Sequence, residues 1–109
     1  MTRRLFLAAA LLLLGCIQGT KVEVINQTGV DITGVDLMLG DIHLSWASIP
    51  NGGSTVTSAM LPSGGEWRLA YTSGTMTVED SNQLPDSLDR AKSLTILISG
   101  GSTGLIYRY

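Results

Sequence analysis

Apolar and polar residues alternate one by one through most of the chain beyond residue 20, and turn-forming residues interrupt the alternation at short intervals. In an extended Lys21–Asn26, Val22 and Val24 fall on one face, with Lys21, Glu23 and Ile25 on the other. The same period turns Val35, Leu37 and Leu39 inward across Thr33–Gly40. It turns Ile42, Leu44 and Trp46 inward across Asp41–Ser48, with His43 and Ser45 opposite. Glu66–Thr72 aligns Trp67, Leu69 and Tyr71, and Ser93–Ser99 aligns Leu94, Ile96 and Ile98. Two weaker segments, Gly53–Leu61 and Thr75–Asp80, point Val56 with Met60, and Met76 with Val78, toward the interior. Leu105–Tyr109 closes the chain. A strand places alternate side chains on opposite faces, whereas a helix requires apolar spacings of three and four.

The turns fall at Asn26-Gln27-Thr28-Gly29, Gly40-Asp41, Pro50-Asn51-Gly52-Gly53, Pro62-Ser63-Gly64-Gly65, Ser73-Gly74 and Gly100–Gly104. Short strands at this spacing predict an all-β fold. Residues 21–109 are expected to form one small antiparallel β-sandwich, immunoglobulin-like or transthyretin-like, of about seven or eight strands. Ser81–Lys92 is too polar for a core strand and contains Pro85. It reads as a crossover loop with one helical turn starting near Pro85 or Asp86, with Leu84 and Leu88 touching the sheet edge.

The first residues follow another pattern. Met1-Thr2-Arg3-Arg4 precedes an apolar run, Leu5–Leu14, then Gly15 and Cys16. A charged start, a short greasy run and a small residue before a cut site make a secretory signal. The run is shorter than the about 20 apolar residues a spanning helix needs. Leu13-Leu14-Gly15-Cys16 resembles the lipobox of bacterial lipoproteins. The resemblance implies that residues 1–15 are removed, that the Cys16 sulfur carries a diacylglycerol and that its new amine carries an acyl chain. Two or three chains anchor durably where one does not. Residues 16–20 then form a lipidated cysteine and a short tether. Ile17 follows the cysteine in place of the aspartate that holds enterobacterial lipoproteins at the inner membrane. The implied address is therefore the outer membrane, facing the periplasm.

Composition narrows the remaining choices. Removing Arg3 and Arg4 takes the formal charge from −2 to about −4. Nucleic-acid binding is not expected, because neutralising phosphates needs a basic face. Attraction of the whole domain to anionic headgroups is disfavoured on the same count. Cys16 is the only cysteine, so no internal disulfide is available and the apolar core must hold the fold alone. Asp41, His43 and Ser45 share one strand face, but neighbours at this spacing lie roughly 7 Å apart, too far for a hydrogen-bonded relay. Asp31, Asp36, Asp41 and Glu79-Asp80 would hold calcium only if the fold brought them together. The glycine pairs lack a phosphate loop's lysine and following helix, so they read as hairpin turns. Asn26-Gln27-Thr28 matches a glycosylation sequon and reads as a turn.

The sequence thus predicts a protein that is not an enzyme and needs no cofactor beyond the lipid on Cys16. It is expected to be a binding or scaffolding module held close to the membrane, with an envelope protein as partner. The aromatic end, Tyr107, Arg108 and Tyr109, is a candidate partner-facing edge, with Arg108 as a charged guard against aggregation. A different class, a periplasmic inhibitor or a phage-type exclusion lipoprotein, fits the same size and address.

Overall fold

A computed structural model describes residues 19–109. Eight strands follow one another: β1 Thr20–Gln27, β2 Ile32–Leu39, β3 Ile42–Ile49, β4 Ser54–Ala59, β5 Glu66–Ser73, β6 Met76–Gln83, β7 Ser93–Ser99 and β8 Ser102–Arg108. A single 3-10 turn, Leu88–Arg90, lies between β6 and β7. The strands form two sheets of four, ordered β4-β1-β7-β8 and β3-β2-β5-β6. All pairings are antiparallel except β1–β7, which is parallel. The fold is a β-sandwich, as the alternation predicts. Immunoglobulin sandwiches set the first strand beside the second and stack about four strands on three. Here β1 lies between β4 and β7, and the four-on-four order is the transthyretin-like alternative.

The inner faces of the two sheets make the core. Val22, Val24, Leu37, Leu39, Leu94 and Ile96 are fully buried, and Trp67, Leu69 and Tyr71 nearly so. The expected faces of β1, β2, β5 and β7 are the observed ones. Trp46 is only half-buried, because β3 is an edge strand.

β2 also contains a bulge that the alternation does not show. Thr33 pairs with Thr72 and Asp36 with Ala70, so Gly34 and Val35 together oppose Tyr71. Gly34 has φ 55°, a left-handed conformation that a Cβ would strain. The extra residue shifts the phase, so that Ile32 and Val35, three apart, both reach the core.

Five other expectations need correction. Val56 and Met60 point outward, 56% and 72% exposed. β4 takes its phase from β1: Val22 faces Thr57 and Val24 faces Thr55, so the threonines turn inward with the valines. Met76 lies on the inner side of β6 but opposite Ser73 at the hairpin tip, where it projects beyond the core and is 68% exposed. Ser81–Gln83 continue β6, pairing with Arg68, Trp67 and Glu66, because a backbone ladder needs no apolar side chain. Thr20 belongs to β1 rather than to a tether. It is buried, and its hydroxyl donates to the Ala91 carbonyl at 2.8 Å. Leu84 and Leu88 are core residues, buried beneath the β6–β7 connection.

The inward Thr55 carries a flaw. Its Oγ1 is shielded from solvent and has no hydrogen-bond partner among the described residues. An unpaired buried hydroxyl costs about 1–3 kcal/mol. Thr55→Val keeps the shape and removes that cost, so it is expected to stabilise by about 1 kcal/mol. A urea midpoint equal to or below that of the parent would refute this reading.

Candidate functional site

The register places both ends of the described chain together. Thr20 pairs with Ala59, Lys21 with Ser93, and Ser93 with Arg108. The starts of β1 and β7 and the ends of β4 and β8 therefore share one rim, termed the near end. Cys16 lies outside the described residues. Three residues separate it from β1, so its Cα lies within about 14 Å of that of Thr20 even when fully extended.

The near end is tied laterally. The Lys21 amide donates to the Lys92 carbonyl at 3.4 Å, and the Lys92 amide donates to the Arg108 carbonyl at 2.6 Å. Arg108 ends β8, an edge strand whose backbone has one side without a strand neighbour. Tyr107 and Tyr109 stack edge to face with ring centroids 5.7 Å apart. The Tyr109 hydroxyl is hydrogen-bonded to Ser87 Oγ. The structure thus places Tyr107, Arg108 and Tyr109 on or just beyond an edge, with Tyr109 fastened to the β6–β7 connection.

The opposite rim is organised by Asn26, which is fully buried. Its Nδ2 donates to the carbonyls of Val30 at 2.8 Å and Ile49 at 2.9 Å. Its Oδ1 accepts from the Thr28 amide at 3.0 Å and the Thr28 hydroxyl at 2.7 Å. The amide is saturated and locks the β1–β2 connection to the end of β3. Both sequon hydrogens are committed to the fold, which leaves no accessible nitrogen for a glycan. Its local sequence marks a turn but not its burial, which depends on β3.

The outer face of the second sheet carries an open groove of about 530 Å³ lined by Asp36, Met38, Arg68, Ala70, Glu79 and Ser81 among others. His43 Nε2 lies 3.1 Å from Asp36 Oδ1, across the β2–β3 pair. Its charged neighbour is therefore Asp36, not Asp41, and no nucleophile is hydrogen-bonded to it among the described residues. Arg68 pairs with Glu66 at 3.2 Å. Both ion pairs are exposed, and such pairs contribute little. Asp31, Asp36, Asp41, Glu79 and Asp80 do not converge: no group of three possible metal ligands occurs among the described residues. Burial pushes the Tyr71 phenol above its usual range, and the Asp80 carboxylate adds to the shift. Asp80 is on the inner side of β6, an edge strand, where an inward charge discourages pairing with another chain.

Among the described residues no helix is long and apolar enough to cross a membrane. No family model matches the chain, and no curated protein matches it significantly. A solved structure is similar: the NMR structure of a protein from Eubacterium rectale, with a TM-score of 0.61 at 13% identity, covering 83% of this chain and 88% of that one. At that identity the likeness speaks for the β-sandwich fold alone.

Proposed function

We propose that this protein is a lipid-anchored lipoprotein of the bacterial cell envelope, a non-catalytic binding or scaffolding module held against the membrane. The observation that carries the reading is the Leu13-Leu14-Gly15-Cys16 segment behind a charged, apolar leader. The position of Thr20 supports a short leash: it is buried as the first residue of β1, leaving only residues 17–19 between anchor and domain. A domain so held meets partners at the membrane rather than in the bulk periplasm. The outer membrane is the proposed address, by the Ile17 argument, and an envelope protein the proposed partner, with the β8 edge as a place to add a strand.

Cys16→Ser tests this directly. The variant is expected to keep its leader and to lose the mass of the acyl chains. A Cys16→Ser protein still processed before residue 16 and still carrying lipid would defeat the proposal. So would a wild-type mature chain whose Cys16 is unmodified by mass spectrometry.

A further inference from the structure

We infer that the near end of the first sheet is a seat for anionic phospholipid headgroups, formed by Lys21, Ser93 and Arg108 with Lys92 beside them. The inference rests on the lipoprotein reading for its location and deepens it. It starts from how charge is distributed, which the net value conceals. After the leader is removed, the basic residues are Lys21, Arg68, Arg90, Lys92 and Arg108. Lys21, Lys92 and Arg108 occupy adjacent strand ends, bonded backbone to backbone. All three are exposed. Neither ion pair among the described residues, Asp36–His43 nor Glu66–Arg68, involves them. The far-end connections 28–31, 50–53, 74–75 and 100–101 contain no Lys or Arg, and Asp31 lies among them.

Like charges on neighbouring strands repel one another. Three cations side by side are relieved by an anion from outside the chain. Lys21 and Arg108 flank Ser93 from its two sides on the same outer face. They border an open groove of about 400 Å³ along β7, with Thr95 on its floor and Ile25, Ile106 and the Glu23 carboxylate on its flanks, Glu23 in the row beyond the one that holds Lys21 and Arg108. The strand spacing sets the Lys21 and Arg108 Cα atoms about 10 Å apart. Two long cationic side chains and one serine hydroxyl at that span suit a phosphodiester, and the isoleucines suit the glycerol and first methylenes beneath it. Acidic groups are near: Glu23 one row along β1, and Asp86 and Asp89 on the β6–β7 connection. None is paired with the three cations. The leash decides the occupant. Thr20, at this rim, lies within about 14 Å of the anchoring cysteine, so headgroup phosphates are at high local concentration beside it. Free phosphate has no such advantage.

The test uses the mature chain, residues 16–109, held on nanodiscs through the Cys16 sulfur. It is held by its own acyl chains or, where mass spectrometry finds that sulfur free, by coupling to a maleimide lipid. Failure of the lipoprotein reading is thus scored separately from failure of the seat. A paramagnetic headgroup lipid reports proximity through amide relaxation. With phosphatidylglycerol in the disc, Lys21, Ser93 and Arg108 amides are expected to relax faster than those of Asp36 and Glu79 on the opposite sheet. About 1 M salt, where the screening length is about 3 Å, should abolish the contrast. Lys21→Gln with Arg108→Gln should weaken seating roughly twenty-fivefold, about fivefold per charge, with an unchanged melting temperature. Equal relaxation on both sheets overturns the inference, as does a contrast that survives in pure phosphatidylcholine or in the double variant. Inorganic phosphate is the second arm: if it shifts these amides while the discs give no contrast, the site takes small anions and the membrane assignment fails.

Discussion

Asn26→Asp is expected to destabilise the domain by about 4 kcal/mol at neutral pH, against a total of about 5–15 for a domain of this kind. The change replaces an NH2 group by an oxygen at a site with no exposure. The carbonyls of Val30 and Ile49 lose their donor and face an acceptor instead. Each buried acceptor left unpaired costs about 1–3 kcal/mol, and an uncompensated charge adds to this. The introduced carboxyl therefore has its pKa raised in the folded state above the unfolded value of about 4. A raised folded pKa has a definite sign: the stability linked to the proton is fully present below the unfolded pKa and is lost as pH rises through the folded one. The deficit of the variant relative to the parent should thus grow from about pH 4 to neutrality. Urea midpoints measured at both pH values check it. A deficit below about 1 kcal/mol, the size of one ordinary hydrogen bond, would mean that Asn26 is not the clamp the geometry describes.

The second large effect concerns two tryptophans with the same strand pattern. Trp67→Ala is expected to cost about 3–5 kcal/mol, the range for a large aromatic removed from a packed core. Trp67 is 5% exposed on β5, a strand paired on both sides, opposite Leu39 and Asn82. Its neighbours are held by two ladders and cannot collapse fully into the void. Trp46→Ala should cost less than half as much. That ring is half-buried on β3, an edge strand, where solvent can reach the space it leaves. Denaturant unfolding of both variants gives the comparison, with the slope checked for two-state behaviour. Equal losses would show that the edge is packed as tightly as the centre.

The contrast between these residues shows where the sequence is legible. Trp46 and Trp67 each sit in a clean alternation, and the pattern treats them alike. Alternation reports which residues share a face, not how deeply the opposite sheet covers it. Val56 shows the complementary failure. It is the most apolar residue within β4, so hydrophobicity alone turns it inward, yet pairing with Val22 and Val24 gives the inner face to Thr55 and Thr57. On an edge strand the backbone ladder outweighs one side chain. Asn26 was legible as a turn former, but its clamp required the Val30 and Ile49 carbonyls, the second 23 residues away. The cationic rim was hidden for a similar reason: Lys21, Lys92 and Arg108 become neighbours only through the parallel β1–β7 pairing and the β7–β8 hairpin.

By itself the sequence determined the all-β class, the inner faces of β1, β2, β5 and β7, and most of the turns. These follow from local rules: a period of two between strand faces, and backbone conformations that glycine and proline favour or forbid. Only the tertiary structure decided the strand order, the parallel pair, the bulge at Gly34, the phase of β4 and the meeting of both chain ends at one rim. Each depends on which strands lie side by side. That choice is made by covering two apolar faces at once while pairing every buried backbone group, a condition on the whole chain that no short segment contains.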